Sequence, residues 1–345
     1  QWTGISYLKI IAVATIPAIM YFASVAFFVH IEALKQRILP TPKETLPRLG
    51  AVLKEGFQFT IPVIILVVLL LRGFTPTYAA CIGIGSIIVV SWFKRDTRMG
   101  IKDILDALYM GARNTISTAA ILICVGIIIG VVAITGVAIT FSGVVMDLSY
   151  GILFFAIILV MLASLVLGMG LPVTASYIML AVLAGPALTQ MGVSLLAAHM
   201  IIFWYSQDAN VTPPVCLAAF SAAGVASSKP MQTGFTSWKL AKGLYLIPFL
   251  FAYTPLLFEG PVIEVIITAA SALFGLFGFT VCWEGYLLRK MNIGERAITV
   301  LAIILLFWPI DLYKVFGFLI LATMYLIQRV SLKKQASEIA AHSSL

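Results

Sequence analysis

Residues Gly168-Met169-Gly170-Leu171-Pro172-Val173-Thr174 follow the apolar run 151–167 and precede a run with helical character, Ala175–Leu188. Two glycines and a proline so close together end one helix and begin another. Pro172 suits the first turn of the second helix. A second interruption, Ser206-Gln207-Asp208-Ala209-Asn210-Val211-Thr212-Pro213-Pro214, divides run 194–205 from run 215–226. What these interruptions mean depends on the solvent around them. In a bilayer, broken backbone is tolerated only where it is buried in protein or lines a wet cavity.

Composition identifies that solvent. The 345 residues include 22 Lys and Arg and 14 Asp and Glu, so 10% are charged and 61% are hydrophobic. A soluble protein carries roughly 25% charged residues and needs them to cover its surface. An ordinary soluble enzyme, a disordered chain and a disulfide scaffold are thereby excluded. A membrane barrel would alternate polar and apolar residues over strands of about 10 residues. This chain instead has long uncharged runs such as Ile61–Leu71 and Ala119–Ile134. The expected fold is an all-α polytopic membrane protein. The net charge of +8 reads as the basic bias of cytoplasmic loops, not as a nucleic-acid surface. Cys81, Cys124, Cys216 and Cys282 lie far apart in apolar runs with no CxxC, and read as small buried side chains.

Apolar runs long enough to span a membrane are 10–31, 57–72, 76–93, 115–135, 245–259, 262–283, 297–311 and 312–328. The first has no basic n-region, so it is not a signal peptide, and with Gln1 at its start the sequence reads as the later part of a longer protein. Basic clusters lie in linker 32–56 (Lys35, Arg37, Lys43, Arg48, Lys54), in 94–113, at Lys229, Lys239 and Lys242, in 285–296, and at Arg329, Lys333 and Lys334. They are placed on the cytoplasmic side, and the neutral or acidic connectors 73–76, 136–150, 190–193 and 259–264 outside. This alternation leaves 151–189 as either two full spans or a re-entrant hairpin. Ile101–Ser117 and Gly234–Lys242 have amphipathic patterns and read as interfacial helices, with Trp238 as an anchor. Thr3-Gly4 followed by Lys9 matches Thr233-Gly234 followed by Lys239, and Pro17 then aligns with Pro248. The two copies point in opposite directions across the membrane, a mark of inverted-repeat secondary transporters whose first repeat would here be largely absent.

The interruptions carry the candidate chemistry. Freed carbonyls suit Na⁺, and a new helix N-terminus suits an anion. Pro213 and Pro214 remove two backbone donors and favour an acceptor-rich nest. Asp208 is the one acid in the greasy stretch 151–228, and intramembrane acids mark function by default. It could ligate a cation, carry a coupling proton or orient its own loop. His199 reads as a packing residue. The candidate cation site is Gly168, Met169, Gly170, Asn210, Val211, Thr212 and Pro214. The candidate substrate-binding residues are Gly170, Pro172, Thr174 and Ser176. No Lys or Arg lies near the centre of 151–228, so an anion would rest on helix ends and hydroxyls. Enzyme readings fail on their motifs. An aspartyl intramembrane protease needs a second acid in a GxGD loop, and the GxSG of a serine protease meets Thr140 before Ser142-Gly143.

From Leu167 to Ala226 the residues GMGLPVTASYIM and DANVTPPVCLAAFSAAGVA resemble the large membrane subunit of tripartite ATP-independent periplasmic (TRAP) transporters. The resemblance is to the fused branch of four plus twelve helices that works with TAXI-type binding proteins. Gly73-Phe74-Thr75-Pro76-Thr77 and Gly111-Ala112-Arg113-Asn114-Thr115 support it. It implies symport of organic acids, typically carboxylates, driven by a Na⁺ or H⁺ gradient across a bacterial or archaeal cytoplasmic (inner) membrane. It implies as partners a periplasmic substrate-binding protein and a small Q-type membrane domain fused upstream, and no cofactor beyond the coupling ion. It implies a hairpin tip at Gly168–Thr174 beside a helix break at Asp208–Pro214. The expected organisation is 1–31 as the end of a first inverted repeat, 32–56 as a cytoplasmic linker, 57–260 as the second repeat with the transport domain, and 261–345 as extra C-terminal helices. The alternative is a channel-like or structural membrane subunit with no coupled transport of its own.

Overall fold

A computed structural model describes residues 4–40, 42 and 46–342, with backbone alone for 117, 118 and 334–342. The described residues form fifteen α-helices: α1 (Tyr7–Lys35), α2 (Leu49–Gly56), α3 (Thr60–Leu71), α4 (Pro76–Ser91), α5 (Ile101–Thr135), α6 (Val137–Leu148), α7 (Leu153–Leu167), α8 (Val173–Gln190), α9 (Leu195–Ser206), α10 (Leu217–Val225), α11 (Pro230–Leu240), α12 (Gly243–Tyr253), α13 (Val262–Glu284), α14 (Ile293–Phe307) and α15 (Asp311–His342). Six helical stretches among them are long and apolar enough to cross a membrane. The fold is thus all-α and polytopic. Thr3 of the sequence repeat and Lys43 of the basic linker lie outside the described residues.

The chain divides into two compact units, Gln1–Ala12 with Leu39–Cys124 and Val13–Ile38 with Val125–Leu345. In the first, α3 and α4 form a hairpin. Gly73 takes a left-handed φ of +83° at its turn. Thr75 caps α4 by accepting from the Tyr78 N–H, and Pro76 follows as the first helical residue. Buried Gln58 donates to Thr97 Oγ1 at 3.4 Å, and Thr97 donates to the Ser91 carbonyl at 3.0 Å, which pins the loop after α4. Val63, Ile64, Ile84 and Ile87 face outward, as lipid-facing side chains do.

Two expectations are corrected here. Ile101–Ser117 is not a separate interfacial helix, because α5 runs unbroken from Ile101 to Thr135. No proline interrupts it, and Gly111 alone does not stop a helix. Segment 136–150 is not a plain connector. Gly136, at φ +70°, ends α5, and α6 follows at once.

In the second unit α6, α7 and α8 pack through Val145, Ala156 and Ala187. Ser142 Oγ donates to the Leu183 carbonyl at 3.2 Å. α1 and α12 lie antiparallel. A Cβ on Gly243, at the start of α12, would collide with Ser24 Oγ of α1, while Glu32 near the end of α1 pairs with Lys239 just ahead of α12 at 2.8 Å. Helices α13–α15 form a C-terminal bundle held by close approach at small residues. A Cβ on Gly275 would lie 2.7 Å from Phe307, and one on Gly317 2.7 Å from Leu306. That bundle packs on α1 through Ile31, Val281, Leu287, Met291 and Met324.

Polar contacts group the connectors of this unit by end. Glu284 accepts from Lys35 at 2.9 Å and forms an ion pair with Lys239 at 2.7 Å, which joins three chain segments that the charge pattern assigns to one side. Ser194 donates to Glu259, which joins two connectors assigned to the other side.

Candidate functional site

α7 stops at the first interruption. The Gly168 N–H donates to the Ser164 carbonyl at 2.8 Å and the Leu171 N–H to the Gly168 carbonyl at 3.2 Å. Gly170 then reverses the chain at φ +77°, a conformation that glycine adopts at little cost. Pro172 is extended (φ −60°, ψ 150°) and stands at the N-cap of α8, one residue ahead of the expected first turn. Its side chain caps nothing, so the opening N–H groups of α8 have no partner within the helix.

α9 stops at the second interruption. A short 3-10 turn covers Asp208–Asn210. The Asp208 carbonyl is not left free, since it accepts from the Val211 and Thr212 N–H groups at 3.1 and 2.9 Å. The carbonyls that lose their i+4 donors to Pro213 and Pro214 are those of Ala209 and Asn210. Gly234 of α11 packs onto this break: a Cβ there would sit 2.7 Å from Cys216 Sγ and 3.4 Å from Pro213. α11 is therefore held against the break, and not simply laid at the interface as its amphipathic pattern suggests.

The two interruptions meet. A Cβ on Gly168 would lie 2.7 Å from the Ser164 carbonyl, 3.0 Å from Ser176 Oγ and 3.2 Å from Ala209 Cβ. The meeting point is about 18 Å along α9 from Ser194, near the middle of a hydrocarbon core about 30 Å thick. Asp208 and Ser176 are both fully buried there. Asp208 Oδ1 accepts from Thr212 Oγ1 at 3.4 Å, and Thr212 Oγ1 also meets Tyr245 Oη at 2.7 Å. Among the described residues, buried Ser176 Oγ, Asp208 Oδ2 and Trp204 Nε1 have no hydrogen-bond partner. An unmade hydrogen bond of this kind costs about 1–3 kcal/mol, and here two such oxygens belong to the segments that the two interruptions bring together.

Of the residues expected from sequence, Gly168, Ser176, Asp208 and Thr212 come together. Asn210, Val211 and Pro172 are half-buried, while Met169, Gly170, Thr174 and Pro214 are exposed. His199 accepts or donates through Nδ1 to Tyr177 Oη at 2.8 Å, which satisfies it as a packing residue. Two participants were not expected. Tyr245 of α12 reaches Thr212, and Lys242 is only 6% exposed and acts electrostatically on Asp208. The Lys242 ammonium is enclosed by rings, 3.4 Å from the centroid of Trp238, 4.9 Å from Trp283 and 5.3 Å from Tyr245. The i,i+4 spacing of Trp238 and Lys242 was visible in the sequence, but the approach of α12 to the break was not.

Helices that break at one common buried point, inside an all-α multi-pass membrane protein, define a carrier-type membrane component. Residues 2–258 match the family described as Tripartite ATP-independent periplasmic transporter, DctM component. The match covers well over half of the chain, and the chain belongs to that family. No match was found among curated proteins, and none among solved structures. The chain is thus a membrane component of a TRAP transporter and not an enzyme. The family works in a bilayer with a substrate-binding protein as partner. Helices α13–α15 lie beyond the matched residues.

Proposed function

We propose that this chain forms the permease path of a binding-protein-dependent importer of small organic acids, driven by Na⁺, in the cytoplasmic membrane of a bacterium or archaeon. The observation that carries the reading is the pair of buried, unpartnered oxygens, Ser176 Oγ and Asp208 Oδ2, on the two segments whose interruptions pack against each other. Hard cations are satisfied by such oxygens together with freed carbonyls. Ala209 and Asn210 offer those carbonyls, and Gly168 packs against Ala209 across the junction. The substrate carboxylate would rest on the open N-terminus of α8 beside Thr174 and Ser176, where unpaired N–H groups favour an anion. Residues 151–189 then act as a re-entrant hairpin, because the tip at Gly168 stops at the same depth as the break it touches. A substrate-binding protein of TAXI type and a Q-type domain fused upstream complete the machine in this reading.

Uptake by the full-length transporter, reconstituted with its binding protein, tests the proposal. Asn210→Ala should raise the Na⁺ concentration needed for half-maximal uptake at near-normal expression. Asp208→Asn should abolish Na⁺ dependence. If Na⁺ dependence persists in Asp208→Asn and pH dependence vanishes, Asp208 carries a proton instead. If neither change alters any ion dependence, the interruptions are structural kinks and the proposed site is wrong.

A further inference from the structure

A cavity of about 1070 Å³ opens between α7, α12, α13 and α14, away from the two interruptions. Its wall is almost wholly apolar, with Leu246, Phe249, Ile304 and Phe307 among the lining side chains. One cation lines it, Arg296 in the first turn of α14. Among the described residues Arg296 forms no ion pair, whereas its neighbour Arg289 is paired with Glu295 at 2.7 Å. Arg296 is also held in place. Its guanidinium lies directly over Gly285, the residue at φ +63° that ends α13, so closely that any Cβ there would overlap it. A half-buried, positioned and unpaired guanidinium at the mouth of an apolar cavity is costly without an anion to meet it.

We infer that this cavity is a binding site for one anionic phospholipid, with its phosphate on Arg296 and an acyl chain along α14. Three observations choose that occupant. The site lies within a membrane-spanning bundle, where lipid is the surrounding solvent. Arg296 stands at the end of the bundle that carries Lys35, Lys239 and Arg289, the end whose charge pattern marks the anionic leaflet. The distance from Arg296 to Trp308 along α14 is about 18 Å, against about 15 Å for the hydrocarbon of one leaflet. A chain entering at Arg296 therefore reaches Phe307 and Trp308 fully extended. Guanidinium and phosphate pair with two parallel hydrogen bonds, which suits Arg better than Lys. The site lies among α7 and α12–α14, largely beyond the residues shared with the family, and none of its lining residues belongs to the two interruptions.

The test uses the full-length transporter in phosphatidylcholine liposomes doped with a phosphatidylglycerol bearing a photoactivatable acyl chain. Cross-linked peptides should map to α12 and α14, and unlabelled phosphatidylglycerol should compete while phosphatidylcholine does not. Arg296→Gln should cut this labelling about fivefold, the effect of one basic contact at a membrane surface. Arg296→Lys should restore part of it. Ile304→Trp, which narrows the acyl-chain path along α14 and keeps Arg296, should also reduce labelling while the protein remains monodisperse. Labelling that is equal with a phosphatidylcholine probe and unchanged in Arg296→Gln would overturn the assignment. So would the absence of any label on α12 and α14, which would show that another occupant fills the cavity.

Discussion

Gly168 has no room for a side chain: the Ser164 carbonyl, Ser176 Oγ and Ala209 Cβ already surround the place a Cβ would take. Gly168→Ala should therefore destabilise the protein by about 1–3 kcal/mol through overpacking, read as a lower melting temperature in detergent, and should separate the two interruptions enough to stop uptake. Gly170→Ala meets nothing within 4 Å and bears only the strain of its left-handed backbone. Its cost should be nearer 1 kcal/mol, with uptake partly kept. Ser176→Ala gives a sharper distinction. A buried hydroxyl without a partner is unfavourable to the fold, so its removal should leave melting unchanged or raise it. If Ser176 ligates ion or substrate, uptake should nevertheless fall. A variant that melts higher and transports normally would remove Ser176 from the site.

Among the helices, a buried carboxylate ties three elements together. Glu284 at the end of α13 is 1% exposed in its side chain and forms ion pairs with both Lys35 of α1 and Lys239 of α11. Removing Lys239 takes one of two cations from this buried carboxylate while Lys35 stays at 2.9 Å, so the loss stays below the value of about 3–5 kcal/mol for a wholly uncompensated buried charge. Lys239→Met should lower the melting temperature strongly, and adding Glu284→Leu should recover much of the loss, a coupling that a double-mutant cycle measures. Burial alone would lower the pKa of Lys239, but the Glu284 and Glu32 carboxylates outweigh it and raise that pKa above the ordinary lysine value. A raised lysine pKa means that the stabilisation is fully present below the unfolded value, near 10.4, and is lost as pH rises through the folded one. The contribution of this network should hence be constant from roughly pH 6 to 9 and fade only in strongly alkaline buffer. A melting temperature that falls between neutral pH and pH 9 in the parent, but not in Lys239→Met, would contradict this.

Across the whole molecule, the charge pattern predicts that segment 136–150 and loop 285–296 face opposite sides of the membrane. Single cysteines at Asp147 and Lys290, in a background lacking the four native thiols, should react with an impermeant maleimide from opposite faces of oriented vesicles. Reaction from one face refutes the assignment. Much of the architecture could be read before any coordinates. Uncharged runs such as Ile61–Leu71 identify spans because every backbone polar group in lipid must be satisfied locally, which is a demand on consecutive residues. Gly168, Gly170, Pro172, Pro213 and Pro214 announce the interruptions because they act on their own backbone. At Gly136 the apolar run 115–135 ends where α5 ends, but the connector 136–150 expected after it is helix α6, which hydropathy alone did not reveal. The site itself was legible in part. Asp208 and Thr212 stood out as polar residues in a greasy stretch, and their neighbours along the chain came with them. Tyr245 and Lys242 did not, since each depends on where α9 and α12 cross, and the meeting of Gly168 with the second break was implied by the family resemblance and not by local chain chemistry. Local chain chemistry settles where helices start, stop and break. Which breaks face each other, and which buried oxygens are left without partners, follows from packing between segments distant in sequence, whose geometry no single segment encodes.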